Sequence, residues 1–116
     1  MMQAQALLDL VKGTLLDSKG RDVHVLDVQK LTDITDFMVI VSGTSNVHIR
    51  SMTEKLVEAM HKQNLRPMGV EGTDPGDWVL IDCGDVVVHL MRPQTRDFYS
   101  LEKLWYSGKA SDVLNV

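Results

Sequence analysis

The stretch that decides the fold is WVLIDCGDVVVHLM, residues 78–91. Two apolar runs flank Gly84-Asp85, and a two-residue turn of this kind is typical of a tight β-hairpin. Because such a turn fixes the strand register, it also fixes which side chains share a face. One face then pairs Cys83 with Val86, Ile81 with Val88, and Val79 with Leu90. These groups are all small or medium-sized and apolar, so we expect this face in the core.

The opposite face of the hairpin is mixed in character. It pairs Asp82 with Val87, Leu80 with His89, and Trp78 with Met91. Tryptophan and methionine are enriched where proteins contact one another, which favours an interface. The other interpretation is that Trp78 covers a helix while Asp82 and His89 lie at the solvent edge, since tryptophan is well buried on average.

Charge around the hairpin favours the interface. The segment from Glu71 to Asp85 contains no lysine or arginine, and its acidic residues are Glu71, Asp74, Asp77, Asp82 and Asp85. An apolar patch rimmed by one sign of charge attracts a partner of the opposite sign, here a basic protein surface. The alternative is a solvated acidic loop.

Outward from the hairpin, the remaining segments predict a regular order of elements. Residues 37–41 contain no polar position, which predicts a central strand covered on both faces. Helical apolar spacing predicts helices over residues 3–18 and 46–64, the second capped by Ser45 and stopped by Pro67. Strands are predicted over residues 22–28 and 68–71, and a last short helix begins near Phe98. The order αββαβββα predicts the α/β (α+β) class, with a single mixed five-stranded sheet packed by helices.

Length and composition place limits on the function. The 116 residues suffice for one domain, which we assign to residues 1–106, followed by a short C-terminal tail at 107–116. A formal net charge of -4 disfavours specific nucleic-acid binding. Cys83 is the only cysteine, as expected in a reducing compartment. We see neither a leader segment nor the roughly 18 apolar residues of a membrane span, so we expect a cytoplasmic protein.

Catalytic chemistry finds little support in the sequence. Gly43-Thr44-Ser45 before a helix is similar to the phosphate-binding turn of nucleotidyltransferases, but that chemistry also needs paired carboxylates to hold Mg²⁺. No persuasive pair is present, and no histidine has metal-ligand spacing to another histidine or to Cys83. We therefore expect no catalytic residue, metal or cofactor. A nucleotide-binding or nucleotidyl-transferring enzyme remains the alternative.

Several blocks together resemble the ribosomal silencing factor family, also called RsfS or Iojap. They are DFMVIVSGTS at residues 36–45, GVEG at 69–72, DWVLID at 77–82, GDVVVH at 84–89 and YSLEKLW at 99–105. The resemblance spans nearly the whole chain, and it implies a nucleotidyltransferase-like fold without the catalytic carboxylates. Ser100 departs from the acidic residue that is common in the family after the tyrosine.

The resemblance also implies a function. It implies a translational repressor that binds ribosomal protein L-fourteen of the large subunit and sterically blocks joining of the ribosomal subunits. Trp78 corresponds to the tryptophan of the family's contact strand. The predicted partner-binding residues are Trp78, Leu80, Asp82, Val87, His89, Met91, Asp77 and Tyr99. Homodimerisation over the same surface is expected, because a second copy would cover an exposed apolar patch.

Overall fold

The structure is a computed structural model that describes residues 3–99, with side chains through residue 96. Its elements are α1 (Ala4–Asp17), β1 (Arg21–Asp27), β2 (Phe37–Ser42), α2 (Asn46–Lys62), β3 (Gly69–Glu71), β4 (Trp78–Asp82), β5 (Val86–Met91) and α3 (Pro93–Tyr99). This is the predicted αββαβββα order. Within the described residues, no helix is both long enough and apolar enough to cross a bilayer.

The strands form one mixed five-stranded sheet in the order β1-β2-β5-β4-β3. Strands β2 and β5 run parallel, while β1 pairs with β2, β4 with β5, and β3 with β4 in antiparallel fashion. Every residue of β2 is buried, which confirms the prediction of a strand covered on both faces. The predicted fold class is therefore confirmed.

The two faces of the sheet pack differently. Helices α1 and α2 lie on one face, where Leu15, Met52 and Leu56 contact a layer of strand valines, leucines and isoleucines. The other face carries a smaller cluster of Leu26, Val28, Met38, Ile40 and Met91, against which Leu31 and Trp78 pack. Trp78 thus lies on the face opposite the two long helices.

Helix α2 begins as predicted and ends earlier than predicted. The Ser45 hydroxyl accepts a hydrogen bond from the His48 backbone N–H, as an N-cap does. The helix ends at Lys62, before Pro67, because Gln63 and Asn64 donate to the carbonyls of Met60 and His61. Asn64 also adopts a left-handed conformation with φ 60, which does not continue a helix.

The last helix begins at Pro93 and not near Phe98. Proline suits the first turn of a helix because its fixed φ is helical and its missing N–H would have no partner there. The guanidinium of Arg96 holds α3 against the sheet by donating to the Asp22 carbonyl and the Ser42 hydroxyl, at 2.7 and 2.9 Å. The rest of the predicted helix, residues 100–105, lies outside the described residues.

Candidate functional site

The hairpin has the register that its turn predicted. Trp78 lies opposite Met91, Leu80 opposite His89, and Asp82 opposite Val87. On the other face, Val79, Ile81, Val86, Val88 and Leu90 are all fully buried against the helices. The division of the hairpin into a core face and a mixed face is therefore confirmed.

The mixed face is less exposed than expected. Met91 is 0% exposed, so the expectation that it belongs to an exposed apolar patch is wrong, and His89 is only 9% exposed. The cause is the neighbouring strand: β5 lies beside β2, and Met91 joins Met38 and Ile40 in the smaller cluster. Only Trp78, Leu80, Asp82 and Val87 are partly exposed on this face.

Trp78 and His89 form a hydrogen-bonded pair on this face. The indole Nε1–H donates to His89 Nδ1 at 3.0 Å, and the ring centroids lie 5.9 Å apart at an interplanar angle of 45°. An Nδ1 that accepts this bond leaves the proton of the neutral ring on Nε2. Burial lowers the pKa of His89 from 6.5 to about 4, because the charged imidazolium would lose its hydration. His89 is therefore a neutral acceptor near pH 7.

The lowered pKa of His89 predicts how stability depends on pH. His89 of the unfolded chain takes up a proton near its ordinary pKa, whereas the folded protein resists protonation until about pH 4. The contribution of neutral His89 to stability is thus fully present above the ordinary pKa of histidine. It is lost as pH falls toward the lower pKa that His89 has in the folded protein. Between about pH 7.5 and about pH 5, we expect the protein to lose about 2 kcal/mol more unfolding free energy than His89→Gln.

Urea unfolding of both proteins at the two pH values measures this difference. The carboxylates titrate in both proteins, so their contribution cancels in the comparison. Equal losses for the protein and His89→Gln would show that His89 is protonated normally inside the fold.

A cleft of 340 Å³ opens beside this pair. It is lined by Glu71, Gly72, Trp78, Leu80 and His89. Three of these residues were predicted site residues, while Glu71 and Gly72 were not. The signal for them is the pairing of β3 with β4, which sets Glu71 opposite Leu80, but no tight turn in the sequence specifies that register.

The acidic rim is partly structural. Asp82 is half-buried and its Oδ1 accepts a hydrogen bond from the Gly84 N–H at 2.9 Å, so it stabilises the hairpin turn. Glu71, Asp74, Asp77 and Asp85 are exposed. Glu71 lines the cleft, Asp74 and Asp77 lie on the loop between β3 and β4, and Asp85 lies in the hairpin turn.

The loop between β3 and β4 is held by side chains from α2. Arg50 donates to the carbonyls of Thr73 and Asp74, and Asn46 donates to that of Pro75 at 2.8 Å. A cation therefore lies beside a loop that contains no lysine or arginine of its own. This neighbour was missed because it is distant in sequence.

The turn before α2 satisfies its own hydrogen-bonding groups. Thr44 N–H donates to His48 Nδ1 at 2.9 Å, and His48 Nε2 lies 2.9 Å from the Ser18 carbonyl. His48 is thus half-buried between two segments. A Cβ at Gly43 would lie 2.6 Å from Ile49, so this glycine is required by packing. Nothing in this geometry calls for a phosphate.

Two further expectations concern reactive groups. Cys83 is half-buried, and burial, with a smaller contribution from the Asp82 charge, raises its pKa to about 12, so it is a poor nucleophile. Among the described residues, no three His, Cys, Asp or Glu side chains are grouped to hold a metal ion. Of the predicted site residues, Tyr99 ends α3 and its side chain lies outside the described part of the chain.

The fold and this surface define a small α+β domain with a cleft beside Trp78 and Glu71, on the sheet face opposite its long helices. The family described as "Ribosomal silencing factor during starvation" (RsfS) matches residues 1–116. The chain therefore belongs to the RsfS family, as the resemblance predicted.

Individual relatives agree with this assignment. The ribosomal silencing factor RsfS of Chromobacterium violaceum is 37% identical over 110 residues, which cover 95% of this chain and 90% of that protein. A crystal structure from the same organism has a TM-score of 0.87 and 38% identity, covering 90% of this chain and 87% of its own. A mouse protein, "Mitochondrial assembly of ribosomal large subunit protein 1", is 39% identical over 92% of this chain but only 48% of its own length.

Proposed function

We propose that this protein is a cytoplasmic translational repressor that binds the large ribosomal subunit through ribosomal protein L-fourteen and sterically blocks subunit joining. Its family is one of ribosomal silencing factors. The observation that carries the proposal is the cleft beside Trp78, since a half-buried tryptophan at a concave surface suits a protein contact. The surface has no need of a cofactor to act in this way.

The charge of the surface supports a basic partner. Glu71 lines the cleft, and Asp74 and Asp77 are exposed on the adjoining loop. Ribosomal proteins must contact RNA, so basic surfaces are common among them, and opposite charges accelerate encounter. Trp78 and Leu80 would supply the apolar centre of the contact, with Val87 beside them and buried Met91 supporting them from beneath.

Two other functions deserve comparison with this proposal. The enzyme alternative loses support because the turn before α2 is closed by Ser45 and His48, and its glycine is explained by packing. The mouse relative, which is named for assembly of the ribosomal large subunit, favours a second candidate, a role in that assembly. Both silencing and assembly require the same first step, which is binding to the large subunit.

Sedimentation tests the proposal directly. We expect the purified protein to co-sediment with isolated large subunits in a sucrose gradient and to be absent from joined ribosomes. Preincubated large subunits should then fail to join small subunits, and isolated L-fourteen should capture the protein in a pulldown. Binding to large subunits without an effect on joining would favour the assembly role instead.

Homodimerisation over the same surface remains a prediction. Trp78, Leu80 and Val87 are partly exposed and would suit an isologous contact between two copies. Such a dimer would hide the binding site of each copy, so dimerisation and ribosome binding would compete. The burial of Met91 makes the available apolar patch smaller than the sequence suggested.

Charge reversal at the rim should slow association. Asp82 is unsuitable for this test because it holds the hairpin turn, so we select the exposed Glu71 and Asp77. Glu71→Lys with Asp77→Lys should lower the association rate at low salt by about tenfold and weaken its salt dependence, with a smaller effect on dissociation. Stopped-flow mixing with L-fourteen at two salt concentrations measures both rates.

The matched control changes charge equally on the opposite face. Asp17→Lys with Glu54→Lys alters two exposed residues of α1 and α2. If both double variants associate at the same rate, net charge alone is responsible. The acidic rim would then be only a solvated surface.

A further inference from the structure

The Trp78 ring is hydrogen-bonded to its neighbour His89. Trp78 begins β4, and His89 lies on β5 opposite Leu80, so the two rings meet on a diagonal across the hairpin. The single N–H of the indole is directed at His89 Nδ1 at 3.0 Å, while the ring also packs against the smaller apolar cluster. Both contacts restrict the rotation of this partly exposed side chain.

His89 is well suited to hold that bond. It is 9% exposed, so water has little access to compete for Nδ1. Its lowered pKa keeps the ring neutral near pH 7, and only the neutral ring can accept. Both rings also line the 340 Å³ cleft, so the orientation of the indole sets the shape of that cleft.

We propose that His89 is a positioning residue of the binding surface, which accepts the Trp78 N–H and thereby holds the indole as a preformed wall of the cleft. This inference rests on the proposed function, because it concerns the same surface. A partner then binds without ordering the ring. If the ring were mobile, only a fraction of molecules would be competent, and the apparent affinity would fall by that fraction.

A double-mutant cycle separates positioning from direct contact. His89→Leu removes the acceptor but keeps an apolar side chain, and Trp78→Phe keeps a ring but removes the donor. We expect His89→Leu to weaken binding of large subunits about fivefold, because ordering one side chain costs about 1 kcal/mol. In the Trp78→Phe background the same change should cost less than about twofold. His89→Gln, whose carbonyl oxygen can accept the N–H, should recover most of the affinity.

The second readout does not involve the ribosome. In a Trp105→Phe background Trp78 is the only indole, and its time-resolved fluorescence anisotropy reports rotation of the ring. His89→Leu should add a fast component to the anisotropy decay, and His89→Gln should not. A residue that acts only by filling space would leave this decay unchanged.

Each outcome bears on one proposal or the other. Equal loss of affinity in both Trp78 backgrounds, or an unchanged anisotropy decay in His89→Leu, overturns the positioning role. Failure of the unaltered protein to bind large subunits overturns the proposed function instead, and the anisotropy measurement still decides the role of His89.

Discussion

Trp78→Ala is expected to weaken binding to the large subunit by about 30-fold or more, equivalent to about 2 kcal/mol. Among the residues whose side chains are described, Trp78 and His89 are the aromatic groups that line the cleft, together with the paired Leu80 and Glu71. Central aromatic residues usually dominate the energy of such contacts because their removal leaves a water-filled gap. Titration of large subunits, or of isolated L-fourteen, measures the loss.

The same substitution should also lower the stability of the fold. Trp78 is half-buried and packs against the smaller apolar cluster, so its truncation is expected to cost roughly 2 kcal/mol of unfolding free energy. Leu65→Ala is a suitable control, because Leu65 is half-buried against the core on the opposite, helix-covered face. It should destabilise the protein without altering binding. Normal binding by folded Trp78→Ala would place the ribosomal contact elsewhere.

The predictable part of this structure is the part determined by short-range rules. The Gly84-Asp85 turn fixes the hairpin register, and the uniformly apolar residues 37–41 form a strand that is covered on both faces. Ser45 caps α2 because its hydroxyl is adjacent in sequence to the helix it serves. Each of these features depends on residues within a few positions of one another.

The unpredicted part depends on neighbours that are distant in sequence. The burial of Met91 follows from β5 pairing with β2, a parallel contact between strands that α2, β3 and β4 separate in the chain. Arg50 reaches the acidic loop, and His48 reaches Ser18, only after α2 has packed. Alternation along a strand assigns a side chain to a face, but it does not reveal what covers that face.

In the candidate site, too, some residues could be predicted from their neighbours in sequence and others could not. Trp78, Leu80 and His89 are placed together by the hairpin alone, and the structure brings all three to one cleft. Glu71 and Gly72 join them through β3, a strand of three residues whose register no turn in the sequence specifies. Asp82 lies on the predicted face of the hairpin, but its carboxylate accepts a hydrogen bond from the Gly84 N–H and so stabilises the turn. That contact can be seen only in the folded structure.

Gly72 lines the cleft and also has a backbone conformation that the fold requires. Its φ is +88, a conformation that side chains rarely adopt, and a Cβ there would lie 2.1 Å from the carbonyl oxygen of Trp78. Gly72→Ala is therefore expected to lower the unfolding free energy by about 3 kcal/mol or more, combining backbone strain with overpacking. Because the collision is with the backbone of Trp78, the cleft should be displaced and binding weakened as well.

Substitutions at two other glycines separate the effect of backbone strain from that of overpacking. Gly84 has the same φ of +88 but open space, with Met68 3.6 Å from a new Cβ, so Gly84→Ala should cost only about 1 to 2 kcal/mol. Gly69, in β3 itself, has no atom within 4 Å of a new Cβ, so Gly69→Ala should be close to neutral. Equilibrium urea unfolding ranks the three variants. If Gly72→Ala proves no more destabilising than Gly84→Ala, the turn after β3 can shift away from Trp78, and the wall of the cleft is not fixed by that glycine.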